Sequence, residues 1–449
     1  MKRFVCTASV LLIMGGTGWA QTNPTPQVLP YVQDFSALAH SSATYPDGWQ
    51  GWKVGSASSV AFPTATAISD QALTANSSAS STAGGVHNFN GKIGMLASGS
   101  IDPTIALSIS TTGYTGIMLK FDVMTIRNPY NGTTNTRINE VALQYRVGTS
   151  GSFASVSGNA DGVYQNNTTT QTASGVTTPQ NVQTVLLGLP SACDNQTEVQ
   201  LRWVQRDLSG SGSRASFAVD NIVAGTSPTI TLQPADQSVC NDSTAIFSAA
   251  ADAVPTPSVQ WQVSSDNGGS WNDIAGATNA TLSVIATPAE NGLQYRARFT
   301  NALGTVGTNA AVLTVLSVPA TPGTIAGSTS VSAGATGVSC SIAVVTGATS
   351  YTWSVPAGAT IASGQGTTSI VVDWGSTSGD VTVAAANACG SSGTAMLSVT
   401  VTQVLGSIAG TVSRPSGGVA NVIVKLEVVG WGDASAERRD DRCVGQLSI

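Results

Sequence analysis

Ser258-Val-Gln-Trp-Gln-Val263, followed by Tyr295, by Asn301-Ala-Leu-Gly304 and by Ala311-Val-Leu-Thr-Val315, is the most informative stretch of this chain. The same parts return in the same order as Ser350-Tyr-Thr-Trp-Ser-Val355, Asn387-Ala-Cys-Gly390 and Ala395-Met-Leu-Ser-Val399. A tryptophan on an early strand, an Asn-Ala-x-Gly turn and a closing apolar strand, all within about 90 residues, suit a small sandwich whose indole fills the space between two sheets. Two such units in line make the chain all-β.

Upstream, from Pro30 to Thr226, segments such as Ile117 to Val123, Val141 to Val147, Val182 to Leu189 and Val199 to Val204 alternate between Gly, Asn and Ser clusters. Helical periodicity is missing between them, so a larger two-sheet sandwich is expected there. Composition agrees. Of the 449 residues only 9% are charged, against about 25% in an ordinary soluble domain. Coiled coils and helices held by ion pairs need abundant Glu, Lys and Arg. The 48 glycines and 18 prolines instead fit short strands joined by turns.

The net charge of -6 and the pI of about 4.8 argue against nucleic acid as a partner, since that affinity rests on Lys and Arg neutralising phosphates. With two histidines, His40 and His87, there is little material for imidazole catalysis or a His-rich metal site. Lys2 and Arg3, the apolar run Phe4 to Met14 and Gly18-Trp19-Ala20 have the layout of a secretory signal peptide, cleaved after Ala20. The mature chain would be exported, without a transmembrane segment. Residues 21–29 read as a Thr/Pro/Gln linker.

These residues carry resemblances. Residues 227–316 resemble the Ig-like repeats of bacterial surface proteins, notably in Trp261-Gln-Val-Ser-Ser-Asp-Asn-Gly-Gly-Ser-Trp271. Residues 317–403 resemble the PKD-like domain through Gly347-Ala-Thr-Ser-Tyr-Thr-Trp-Ser-Val-Pro-Ala-Gly-Ala-Thr360 and Gly364-Gln-Gly-Thr-Thr-Ser-Ile370. Residues 30–226, with Tyr31-Val-Gln-Asp-Phe35 at the start and Phe217-Ala-Val-Asp-Asn-Ile222 at the end, are similar to jelly-roll domains that open secreted multidomain bacterial proteins. Together they imply tandem β-sandwiches, a jelly roll followed by two Ig-like units, in a secreted or cell-surface protein that is adhesive or attached to a hydrolase.

Residues 404–430, with Gly406-Ser-Ile-Ala-Gly-Thr-Val at their start, look like the first two strands of a carboxypeptidase-regulatory or SdrD B-like sandwich. The partner strands never arrive, and two strands cannot cover an apolar face. From Trp431 to Ile449 seven of nineteen residues are charged. Asp440 to Ile449 can be encoded so that the bases read one position later give Thr-Thr-Asp-Ala-Ser-Gly-Asn-Tyr-Gln, the continuation which that family shows. A frameshift between about Leu426 and Asp440 is therefore expected, with a natural short tail as the alternative. A sorting domain of the type IX secretion kind in the other frame would mark surface attachment.

Five cysteines remain after the signal, with no C-x-x-C pair, and export favours disulfides. Cys340 and Cys389 lie within one module and are expected to bridge. Cys240 pairs with Cys193 or stays free, and Cys443 lies in the suspect tail. Asp34 and Asp220, at the two ends of the large domain, are candidates for a structural Ca²⁺, which takes six to eight oxygen ligands; capping a turn is the plainer role for each. Among the aromatics, Tyr130 in Asn128-Pro-Tyr-Asn-Gly132 is the candidate for stacking on a sugar, while Trp49 and Trp52 read as core. Glu140 and Glu198, the large domain's two glutamates, make no recognisable acid/base pair, and no catalytic motif occurs. The expected function is a non-enzymatic surface or matrix protein that binds extracellular glycan or a cell-surface protein. The alternative is the accessory region of a secreted hydrolase.

Overall fold

The computed structural model describes residues 21–403 apart from 56–61, 63, 65, 100, 157–161 and 167–179. The expected signal peptide, truncated sandwich and charged tail lie outside these residues. One compact unit runs through Ser317 and a second begins at Val318.

The described residues from 21 to 226 form a sandwich of two sheets. One sheet has eight strands on the path Ala154–Ser155, Ile138–Val147, Val199–Ser209, Asp102–Ser110, Trp49–Gly55 and Ser69–Asp70, with Gln27–Val28 and Tyr164–Gln165 added at its sides. The other has seven, on the path Gln180–Gly188, Ile117–Arg127, Ser216–Thr226, Ile93–Leu96, Gly85–Asn88 and Leu73–Thr74, with Tyr31–Gln33 beside Ser216–Thr226. Strand alternation drives the association, because side chains two apart share a face. Ile105, Leu107, Ile109, Val141, Leu143, Leu201 and Trp203 of one sheet meet Leu119, Phe121, Val123, Phe217 and Val219 of the other. At the centre Trp203 stacks on Trp49 with ring centroids 5.5 Å apart and takes the edge of Phe121 at 5.3 Å.

The stretch read as a linker is part of this domain. Gln27–Val28 pairs in parallel with the end of Asp102–Ser110. Composition concealed this, since a two-residue edge strand needs no apolar run.

Residues 229–316 fold into an Ig-type sandwich. A six-stranded sheet holds Ser258–Ser264, Gln294–Asn301 and Ala311–Leu316, and faces the pair Thr244–Ser248 and Thr281–Ile285. Trp261 is fully buried against Phe247, and its indole N–H donates to the Asn279 carbonyl at 2.8 Å. This sandwich is tied to the larger one. Thr226 N–H donates to the Val254 carbonyl at 2.6 Å, and the Asn301 amide donates to the carbonyls of Thr226 and Pro255 at 2.9 and 2.8 Å. Gly225 allows the approach, since a Cβ there would stand 1.9 Å from the Val254 carbonyl oxygen. Gly225→Ala is therefore expected to cost about 1–3 kcal/mol through overpacking, read from the denaturation midpoint.

The described residues of the second unit, 318–403, form a further sandwich. Four strands, Ser330–Ser332, Gly390–Thr402, Gly379–Asn387 and Ser350–Ser354, face three, Val338–Ser341, Ser369–Asp373 and Thr360–Ser363. Trp353 is 3% exposed and donates to the Thr367 carbonyl at 2.8 Å. Tandem β-sandwiches are thus the architecture, and each repeated tryptophan is a core residue.

The expected bridge between Cys340 and Cys389 does not form. Cys340 is a free thiol pointing into the core from the three-stranded sheet. Cys389 sits half-buried in the turn between Gly379–Asn387 and Gly390–Thr402, on the other sheet. Cys389 and Cys240 are each disulfide-bonded, whereas Cys193 is a free thiol buried in the large sandwich, so it is no partner for Cys240.

Candidate functional site

The strands Ile138–Val147 and Val199–Ser209 carry polar residues at even positions, so their outer face is polar where the inner one is core. Register sets Glu140 opposite Arg206, Gln144 opposite Arg202 and Arg146 opposite Gln200. Each pair bonds across the strands. Arg206 Nε donates to Glu140 Oε2 at 2.7 Å, Arg202 Nε to Gln144 Oε1 at 2.8 Å and Arg146 Nε to Gln200 Oε1 at 2.8 Å. Aromatic rings cover the guanidiniums. Phe153 lies over Arg202 at 3.8 Å and Arg146 at 4.5 Å, and Phe62 over Arg206 at 4.4 Å. Burial penalises the Arg146 and Arg202 cations, and with the neighbouring Arg146 it pulls Arg202 down to about 9. Hydrogen bonds and ring quadrupoles offset part of that cost.

Residues Thr22 and Asn23 lie across the same face. The Thr22 backbone N–H and hydroxyl donate to the Asp70 carboxylate, while the hydroxyl accepts from Gln50 Nε2 at 2.9 Å. The Thr22 carbonyl accepts from Trp52 Nε1 at 3.0 Å. Asn23 Oδ1 accepts from Gln200 Nε2 at 3.1 Å and Arg146 Nη2 at 3.4 Å. Beside this segment opens a cleft of about 520 Å³ lined by residues including Thr44, Tyr45, Trp49, Gln50, Asp70 and Gln71. A second cleft of about 670 Å³, where the large sandwich meets the Ig-type one, includes Tyr114, Met118, Thr226 and Val254.

The residues singled out in the sequence are distributed differently. Asp34 and Asp220 do come to neighbouring strands. Asp34 Oδ1 accepts from the Ser36 N–H at 3.0 Å and hydroxyl at 2.7 Å, which lowers its pKa. Asp220 is pushed up to about 6, chiefly by burial, with Asp122 and Asp34 adding to it and Lys92, 3.9 Å away, opposing it. Lys92 thus supplies the positive charge beside Asp220. Among the described residues no three His, Cys, Asp or Glu side chains gather as a metal site. Tyr130 is half-buried in its turn and belongs to neither cleft. Trp49 and Trp52 are buried, but on opposite faces of one sheet, and Tyr164 is a core residue donating to the Asn181 carbonyl at 2.9 Å. Both histidines converge on Ser77. His40 Nε2 reaches its carbonyl at 2.9 Å, and His87 bonds its hydroxyl through Nδ1 at 2.9 Å and the Ala83 carbonyl through Nε2. With both ring nitrogens engaged, His87 is a structural group.

Sequence reasoning missed several buried polar side chains of the large sandwich. Buried Asp102 Oδ1, both amide atoms of Gln205 and the Ser216 hydroxyl have no hydrogen-bond partner. Desolvation raises Asp102 to about 6 from 3.8, more than Arg214 and Lys53 lower it. A carboxyl with a raised folded pKa destabilises the fold fully above about pH 6, and the penalty disappears as pH falls toward 3.8. Asp102→Asn is expected to stabilise the chain at pH 8 by about 1–2 kcal/mol, with the gain vanishing near pH 4. Chemical denaturation at the two pH values checks this.

Among known proteins, the PKD-like domain family matches residues 318–399, and a domain of unknown function (DUF8696) matches residues 229–317. Endoglucanase C of Cellulomonas fimi is 41% identical over 134 residues, 28% of this chain and 12% of that protein's length. The chain therefore spans a small part of that relative. Solved structures with likeness include a tandem pair of titin Ig domains, 18% identical over 40% of this chain and 99% of that one with a TM-score of 0.21. A three-domain I-band fragment of titin is 13% identical over 67% of this chain and 93% of its own, with a TM-score of 0.28.

Proposed function

We propose that this chain is an exported, non-catalytic assembly in which a jelly-roll-like N-terminal sandwich binds extracellular glycan and the Ig-type and PKD-type modules act as spacers. The observation that carries this is the match to Endoglucanase C, a name that places the related stretch in a carbohydrate-active protein. It favours modules that accompany a hydrolase over a free-standing adhesin. The disulfide-bonded Cys240 and Cys389 support an oxidising compartment, hence export. Glu140 is engaged by Arg206, and Glu198 accepts from Ser108 at 3.1 Å and Gln200 at 2.7 Å, so both glutamates have structural partners.

Co-sedimentation of the full chain with insoluble cellulose, xylan and chitin tests the reading. Retention on at least one polysaccharide, competed by its soluble oligomer, is expected. Loss of all retention would leave the spacer role alone.

A further inference from the structure

We propose that the outer face around Gln50, Trp52, Asp70, Arg146 and Gln200 is the site for a neutral sugar chain, and that Thr22 and Asn23 occupy it while no sugar is bound. The inference rests on the glycan-binding reading and assigns it to a place. These two residues fill the position of a ligand. Their polar atoms meet a carboxylate, two amides, an indole N–H and a guanidinium drawn from strands far apart in sequence. The groups that receive them are held firmly. Trp52 and Gln200 are fully buried, and Arg146 is fixed by Gln200 beneath the Phe153 ring. Rigid polar groups facing an exposed segment are what a binding site requires.

The chemistry of the occupant follows from that of Thr22. One hydroxyl donates to Asp70 and accepts from Gln50 at once. A sugar hydroxyl does the same, whereas an anion would meet Asp70 and a cation would meet Arg146. Facing charges of both signs therefore select a neutral polyhydroxyl ligand. The adjoining cleft of about 520 Å³, with Tyr45 and Gln71, gives room for the chain to continue beyond Thr22. A sugar that enters must displace the segment, so measured affinity is reduced by the fraction of chains in which the segment is docked.

Calorimetric titration of the full chain with cellohexaose, xylohexaose, chitohexaose and, as the charged arm, a galacturonate hexamer tests this. Thr22→Ala and Asn23→Ala are expected to lower the melting temperature of the free chain slightly yet tighten binding of a neutral hexamer at least threefold. Gln50→Ala and Gln200→Ala are expected to weaken it at least tenfold, with melting curves confirming that the variants fold. Binding unchanged in all four, or weaker binding in the Thr22 and Asn23 variants, overturns the assignment while leaving glycan binding in place. Preference for the galacturonate hexamer overturns the neutral class. Absence of binding to every hexamer overturns both the site and the reading on which it rests.

Discussion

Trp203→Ala should lower the stability of the unit that contains the large sandwich by about 3–5 kcal/mol, the largest single effect expected in the chain. The indole has no exposed surface, stacks on Trp49 and receives the edge of Phe121, so no neighbour can turn inward to fill its place. Trp203 Nε1 has no hydrogen-bond partner, so the alanine variant forfeits no hydrogen bond and its effect is one of packing. Trp203→Phe should recover a good part of the difference. Denaturant unfolding followed by far-UV circular dichroism reads both values, and a loss below about 1 kcal/mol for the alanine variant would show that the two sheets close over the gap.

The second large effect is expected at Glu140. Its carboxylate holds Arg206 in an ion pair in which both side chains are largely buried, and Phe62 covers the guanidinium. Glu140→Ala leaves that cation without its carboxylate in a poorly solvated place, at a cost of about 3 kcal/mol. Replacing both partners, Glu140→Ala with Arg206→Met, should cost clearly less than the single change, because the buried charge leaves together with its partner. A double-mutant cycle by chemical denaturation measures the coupling. Additivity of the two changes would assign the arginine's stability to its other contacts.

The repeated tryptophan strands were legible because alternation and turn residues are local, and each indole is held by its own module. Trp261 and Trp353 needed only the parity of their strands. The cysteines were not legible in the same way. Whether Cys340 meets Cys389 depends on which sheet each side chain joins, and their spacing within one module is silent on that. The polar face was legible in part. Asn139-Glu-Val-Ala-Leu-Gln-Tyr-Arg146 and Gln200-Leu-Arg-Trp-Val-Gln-Arg206 place polar residues at even positions on both strands, and their pairing could have been read from the alternation. Thr22 and Asn23 gave no signal at all, since two polar residues beside prolines have no periodicity and acquire their role only from residues up to 177 positions away.

In both smaller modules the first strand of the principal sheet lies parallel to the last. Gln237–Cys240 runs beside Ala311–Leu316 from Gln237 opposite Leu313 to Cys240 opposite Leu316, and Ser330–Ser332 runs beside Gly390–Thr402. Tension applied between the two ends of such a module pulls these strands past each other lengthwise, so the backbone bonds between them are loaded together instead of peeling one after another. The force at which such a module opens is then set by how many of those bonds must break together, a quantity that its equilibrium stability does not report.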